Sequence, residues 1–170
     1  MAIGRYLERT ARNDELCKKF KEIPGVEPVT SLAFKSTIDN PRCFGSNKEL
    51  ASHLGLTPRL YQSGEIDRTG CISKCGDAML RKYLYEPAHC HLSRCRQWTS
   101  IRSWGMRIAK ELGMKRASVA VARKLSIVMS RMWITGDHFQ FGKCNSDHGI
   151  QDSVRDSIPL FVESVRRQPI

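Results

Sequence analysis

The residues best suited to chemistry lie between Leu54 and Leu84, in the stretch LGLTPRLYQSGEIDRTGCISKCGDAMLRKYL. Ser73 brings a hydroxyl, while Arg59, Arg68, Lys74 and Arg81 bring cations on both sides of it. Gly64, Gly70 and Gly76 punctuate the stretch and admit backbone geometries closed to other residues. A serine hydroxyl attacks poorly until its proton is removed or the developing charge is stabilised. Placed at the positive end of a helix and ringed by guanidinium and ammonium groups, it suits work on a phosphate. Ser73 is therefore expected to cap the helix that carries Met79, Leu80, Tyr83 and Leu84 on one face.

The elements that must hold this loop are helical. Leu16, Phe20 and Ile23 fall at helical spacing, Pro24-Gly25 breaks the pattern, and Val29, Leu32 and Ala33 resume it. Two short helices around an Ile-Pro-Gly-Val turn read as a helix-hairpin-helix, whose backbone N–H groups near Gly25 and Val26 would bind a phosphate. An ordinary packing corner fits the same spacing. Ser46 to Glu49 is a capping box before Leu50 and Leu54, and Gly55 is a C-terminal stop. Gly64-Glu65 and Thr69-Gly70 are turn-like pairs, with a short two-stranded excursion between Tyr61 and Ile66. Pro87 is expected to interrupt its helix, leaving a second piece from Ala88 to Gln97. A helix capped by Thr99 or Ser100 runs to Gly113, and the longest one spans Lys115 to Ile134. Its apolar face is Ala117, Val121, Leu125, Val128 and Met132, with Arg116 and Arg123 pointing away. The fold class expected is all-α, a helical bundle with a helix-hairpin-helix element and a glycine-rich polar loop feeding a helix N-terminus.

The 170 residues are enough for one domain with its own core, and the formal net charge of +11 favours a polyanionic partner. Nucleic acid is the leading candidate and an anionic membrane surface the weaker one. Between Arg94 and Arg131 ten basic residues face a single acid, Glu111, so a nucleic-acid-binding face including Arg116, Arg123 and Lys124 is expected there. No run of eighteen apolar residues occurs, so no membrane partner is expected. Seven cysteines without a disulfide rhythm fit a reducing cytoplasm. Trp98, Trp104 and Trp133 sit among apolar neighbours at helical spacing and are read as core.

Three segments in this order resemble one family: IPGVEPVTSLAF (Ile23 to Phe34), GLTPRLYQSGEIDRTGCISKCGDAMLRKYLYE (Gly55 to Glu86) and KRASVAVARKLSIVMSRMW (Lys115 to Trp133). The resemblance is to the C-terminal domain of bacterial insertion-sequence transposases of the one-hundred-and-ten family, mobilised by a bridge-RNA-guided recombinase. With spacers it covers roughly Leu16 to Phe139. It implies a serine nucleophile in the motif Ile-Ser-Lys-x-Gly, here Ile72 to Gly76, hence Ser73. It also implies DNA strand transfer through a phosphoserine intermediate, a guide RNA that chooses the target, and a homo-oligomeric assembly. Mg²⁺ would be held by a separate RNase H-like domain; no cofactor is expected on this chain. Arg59, Arg68, Lys74 and Arg81 become candidates for neutralising the scissile phosphate and its neighbours.

The chain departs from the family pattern at Glu27, Leu60, Cys71 and Pro87. The acids are scattered and could not replace the metal-binding half, so the chain is expected to be a truncated or decayed transposase, or one fragment of a split reading frame, inactive alone. Its expected organisation is residues 1–14 as a remnant of something upstream, 15–139 as the helical domain and 140–170 as a loose tail. The rival function is a non-catalytic helix-hairpin-helix module that binds DNA or RNA. A second rival is a zinc site drawn from Cys71, Cys75, Cys90, Cys95, His89 and His91.

Overall fold

Capping residues set most of the element boundaries. The computed structural model describes residues 2–63 and 66–141, with the backbone alone for 2, 3, 60–63 and 66–70. In chain order the elements are α1 (Ala2–Asn13), α2 (Glu15–Phe20), α3 (Pro28–Ile38), a 3₁₀ turn (Pro41–Cys43), α4 (Asn47–His53), β1 (Pro58–Ser63), β2 (Ile66–Ile72), α5 (Ala78–Ser93), α6 (Ser100–Leu112) and α7 (Met114–Thr135). Asp14 starts α2 by accepting from the N–H groups of Leu16 and Cys17 at 3.0 and 3.1 Å. Ser46 accepts from Glu49 N–H to start α4, and the Glu49 carboxylate takes the Gly45 N–H instead of its own cap's. Thr99 caps α6. The architecture is all-α, with one antiparallel hairpin inserted between α4 and α5.

Helix α7 is the shared wall of the core. Its buried face is dominated by small residues and thin aliphatics, including Ala117, Ala120, Val121 and Ala122, which let α5 and α6 approach closely. On the other side, Phe20, Ile23 and Val26 of the α2–α3 corner join Phe34, Leu50, Leu54, Leu80 and Leu84. Phe20 meets Phe34 edge-on at 5.6 Å and Trp133 at 6.3 Å. Among the described residues no helix is long and apolar enough to cross a membrane.

Several expectations are corrected. Ser73 does not cap α5; Asp77 does, accepting from Met79 N–H at 2.8 Å. The N–H groups of Ser73 and Lys74 instead bond back to the carbonyls of Thr57 and Gly55, which holds this segment outside the helix. Thr69-Gly70 lies within β2 and is not a turn. Pro87 does not split its helix: α5 runs unbroken from Ala78 to Ser93, and no second piece reaches Gln97. A proline leaves the carbonyl four residues earlier without its helical donor, here Tyr83, and the Thr30 hydroxyl of α3 donates to that oxygen at 3.2 Å. Trp98 is not core; it is 68% exposed. Arg123 is off the buried face of α7, in keeping with its expected position, and is itself half-buried. Gly64, Glu65 and the expected tail from 142 onward, with Ile158, Leu160, Phe161 and Val165, lie outside the described residues.

Candidate functional site

The loop from Ser73 to Asp77 is tied by backbone hydrogen bonds to the segment Gly55–Thr57. Ser73 N–H donates to Thr57 O at 2.7 Å and Lys74 N–H to Gly55 O at 3.2 Å. The loop then crosses the C-terminal turn of α4 so closely that two glycines are required. A Cβ on Gly76 (φ 98°) would fall well inside contact distance of His53 O. One on Gly55 (φ 65°) would sit 2.8 Å from Cys75 N and 2.9 Å from the Arg81 guanidinium. Both φ values lie where L side chains are disfavoured in any case.

Two arginines complete the clamp. Arg59 donates through Nε and Nη2 to Ser73 O, at 3.3 and 3.0 Å. Arg81, in the first turn of α5, donates through Nη1 to the carbonyls of Leu54, Cys75 and Gly76, at 3.4, 3.3 and 3.2 Å. Arg59 stands beside an irregularity in the hairpin: the pairs Pro58–Ile72 and Leu60–Thr69 leave Gly70 and Cys71 opposite this one residue. Such a bulge bends a strand locally and is common beside functional groups. The sequence did not reveal that these guanidiniums would serve carbonyls of the loop itself, because the bulge and the glycine crossing are non-local.

The tethered loop holds two groups in unfavourable states. The Ser73 Oγ is buried and has no hydrogen-bond partner, a condition costing about 1–3 kcal/mol. Lys74, exposed, takes a left-handed φ of 55°, which for a non-glycine costs on the order of 1–3 kcal/mol. Strain and unmet polar groups of this kind concentrate at working sites.

The remaining candidates lie elsewhere. Gly25 has φ 88°, and a Cβ there would stand 3.0 Å from Pro87 O of α5; Val26 is buried. The α2–α3 corner is further joined to α5 through His91. Its Nδ1 lies 3.1 Å from Pro24 O and its Nε2 2.6 Å from Thr99 Oγ1. A carbonyl only accepts, so Nδ1 carries the proton and Nε2 accepts from Thr99, which in turn accepts from Arg102 N–H. Burial pushes the imidazole below its ordinary value, the Arg102 charge acts the same way, and the Pro24 bond opposes both. On α7, Arg116 is exposed, the half-buried Arg123 is pushed down by desolvation, and Lys124 lies 4.6 Å from the Trp104 ring centroid. Arg68 is opposite Tyr61 in the hairpin, and its side chain is outside the described residues, as is that of Leu60.

Among the described residues no three His, Cys, Asp or Glu side chains converge as ion ligands. Both nitrogens of His91 are committed to Pro24 and Thr99, and Asp77, the carboxylate nearest Ser73 in sequence, caps α5.

Comparison with known proteins converges on one family. The family model described as "Transposase IS116/IS110/IS902 family" matches residues 17–103, just over half of the chain and all of the serine loop. A putative transposase (y4pF/y4sB) of Sinorhizobium fredii is 31% identical over 140 residues, which is 81% of this chain and 36% of the relative. The transposase for insertion sequence element IS1111A of Coxiella burnetii is 34% identical over 127 residues, 72% of this chain and 35% of the relative. A probable family 20 transposase of Pseudomonas aeruginosa is 29% identical over 123 residues, with shares of 72% and 36%. The chain thus spans about a third of the length of these relatives. With the family model over just over half of its length, the serine loop included, this chain belongs to the IS116/IS110/IS902 family of transposases.

Proposed function

We propose that this chain is the DNA-handling part of an insertion-sequence transposase and that Ser73 is its nucleophile toward a phosphodiester. The observation that carries the reading is the buried, unpartnered hydroxyl of Ser73 in a loop held by backbone bonds to Gly55 and Thr57 and by Arg59 and Arg81. Turning that hydroxyl outward breaks no hydrogen bond and relieves its burial, so presentation to a phosphate is favourable from the start. The Ser73 Oγ–P bond forms as a sugar O–P bond breaks, and the hydroxyl's proton ends on the departing sugar oxygen. The phosphodiester's energy stays in the phosphoserine, ready for transfer to a second strand. The exposed Lys74 is the cation placed to meet the phosphate, and Arg59 and Arg81 are positioning residues. The described residues offer no ligand set for the Mg²⁺ that the family reading implies, and a separate metal-binding half would hold it.

DNA is the partner favoured by the net charge of +11 and by the acid-poor run from Arg94 to Arg131. A guide RNA, a multi-subunit assembly and a place at the bacterial nucleoid belong to the same proposal, as does the Gly25–Val26 corner as a backbone phosphate contact. The non-catalytic alternative, a nucleic-acid-binding module, draws support from one observation: both Arg59 and Arg81 have their head groups on backbone carbonyls.

The experiment combines this chain with a metal-binding transposase half, a matching guide RNA and Mg²⁺. Covalent protein–DNA adducts are then measured with Ser73 and with Ser73→Ala. An adduct present with serine and absent with alanine is expected. Because the hydroxyl has no partner to lose, Ser73→Ala should also match or exceed the parent in thermal stability. Equal adduct yields from the two proteins would eliminate Ser73 as nucleophile, and no adduct with salt-sensitive binding retained would favour the module.

A further inference from the structure

Three tryptophans share this chain, and the fold treats one differently. Trp104 and Trp133 pack against the core, whereas Trp98 stays 68% exposed. It sits in the link between α5 and α6, beside the exposed Arg94 and Arg96. The link is not slack. Cys95 N–H donates to Cys90 O at 3.1 Å, the Cys95 thiol lies 3.4 Å from Gln97 O, and Thr99 is locked between His91 and Arg102 N–H.

Arg102 props the indole from one side. Its guanidinium carbon lies 5.3 Å from the Trp98 ring centroid, within cation–π range. The same guanidinium donates through Nη1 to Cys95 O, which fixes the head group in place. A held cation thus lies over the ring while the residue remains 68% exposed. From Arg94 to Lys110 the sequence has five basic residues and no acid.

We infer that Trp98, braced by Arg102, is a stacking platform for an unpaired nucleobase, with Arg94 and Arg96 drawing in the adjoining phosphates. The inference rests on the reading of this chain as a nucleic-acid-handling protein and adds a ligand class to it: single-stranded or unpaired nucleotides. Bases inside a duplex have their faces covered by neighbours, so an exposed indole discriminates for strands whose bases are splayed out. A rigid ring loses little freedom on contact, and the guanidinium behind it adds its own attraction to the stack. Strand transfer creates such unpaired segments, which gives the platform a use apart from the serine loop.

The test measures affinity of the full chain for a short oligodeoxythymidylate and for a fully paired duplex. Trp98→Ala is compared with Trp98→Phe and the parent, after thermal melting shows that both variants fold. Single-strand affinity should fall roughly 5- to 140-fold in Trp98→Ala, the range corresponding to ~1–3 kcal/mol per stacked base at ~1.4 kcal/mol per tenfold. Trp98→Phe should retain most of it, and duplex affinity should hold in both. A 2-aminopurine placed in the single strand should lose emission with the parent and not with Trp98→Ala. Unchanged single-strand affinity in Trp98→Ala, an equal loss on both substrates, or a parent that binds only duplex would each overturn the platform while leaving the DNA-handling function standing. Failure of the parent on every nucleic acid would remove both.

Discussion

Pro87 sits inside α5 without ending it because Thr30 supplies the donor that proline lacks, and a double-mutant cycle isolates that compensation. Thr30 is 4% exposed, and its hydroxyl donates to Tyr83 O at 3.2 Å. That distance is long for a hydroxyl donor, so its net worth falls at about 1 kcal/mol, within the usual 0.5–1.5. Thr30→Val keeps the shape, removes the donor and leaves the Tyr83 carbonyl without a partner. It should cost about 1 kcal/mol, a fall in Tm of about 3 °C for a domain of this size. In a Pro87→Ala background the new amide at 87 donates to Tyr83 O, and Thr30→Val should then cost nothing measurable. Pro87→Ala by itself mixes relief of the ~3 kcal/mol interior-proline penalty with lost packing of a buried ring; the cycle subtracts both. Urea unfolding of the four proteins gives the coupling, expected near 1 kcal/mol. A coupling under about 0.5 kcal/mol, the ordinary limit of additivity, would refute the claim that Thr30 answers the proline.

Two further outcomes follow from the site and its frame. His91 is held below its ordinary value of 6.5 by burial, so the unfolded chain binds its proton first as pH falls. Its contribution to stability is complete above about pH 7 and is lost as pH drops through 6.5 toward the folded value. Asp14 and Glu22 are also depressed, since ion-pair and backbone N–H contacts outweigh their desolvation, but their losses begin only near 3.8 and 4.5. Urea midpoints at pH 7.5 and 5.5 should therefore differ in the parent and converge in His91→Gln; equal slopes in the two would remove the assignment. The glycine crossing makes the second case. Gly76→Ala should lose at least about 2 kcal/mol, from left-handed strain and the collision with His53 O. Gly4→Ala, with nothing within 4 Å in helix α1, should gain up to ~1 kcal/mol. The same chemical change with opposite signs reads the crossing directly, and matching signs would dismiss it.

Much of the frame was legible because its signals are local. Thr99 and Ser46 cap helices through hydrogen bonds to residues three positions on, and Gly55 ends α4 through its own φ. The apolar stripe of α7 repeats every turn, so the sequence displays it without knowledge of any neighbour. The serine loop was likewise visible as a run of glycines and cations around Ser73, and so was its family. Less legible were the start of α5 and the fate of its cations. Ser73 and Asp77 are both good capping residues, and the choice fell to Asp77 once Ser73 and Lys74 gave their N–H groups to Thr57 and Gly55.

Composition and order thus determined an all-α frame, a net positive charge and a glycine-punctuated loop around Ser73, since propensity, periodicity and charge act between residues close in the chain. Tertiary structure decided which groups are satisfied. Arg59 and Arg81 hold the loop's carbonyls, Thr30 answers Pro87, His91 joins the α2–α3 corner to the cap of α6, and the Ser73 hydroxyl is left without a partner. Each outcome depends on a donor or acceptor more than a dozen residues away or on its tight crossing with another segment. A hydrogen bond of about 3 Å between distant segments leaves no periodic trace in sequence.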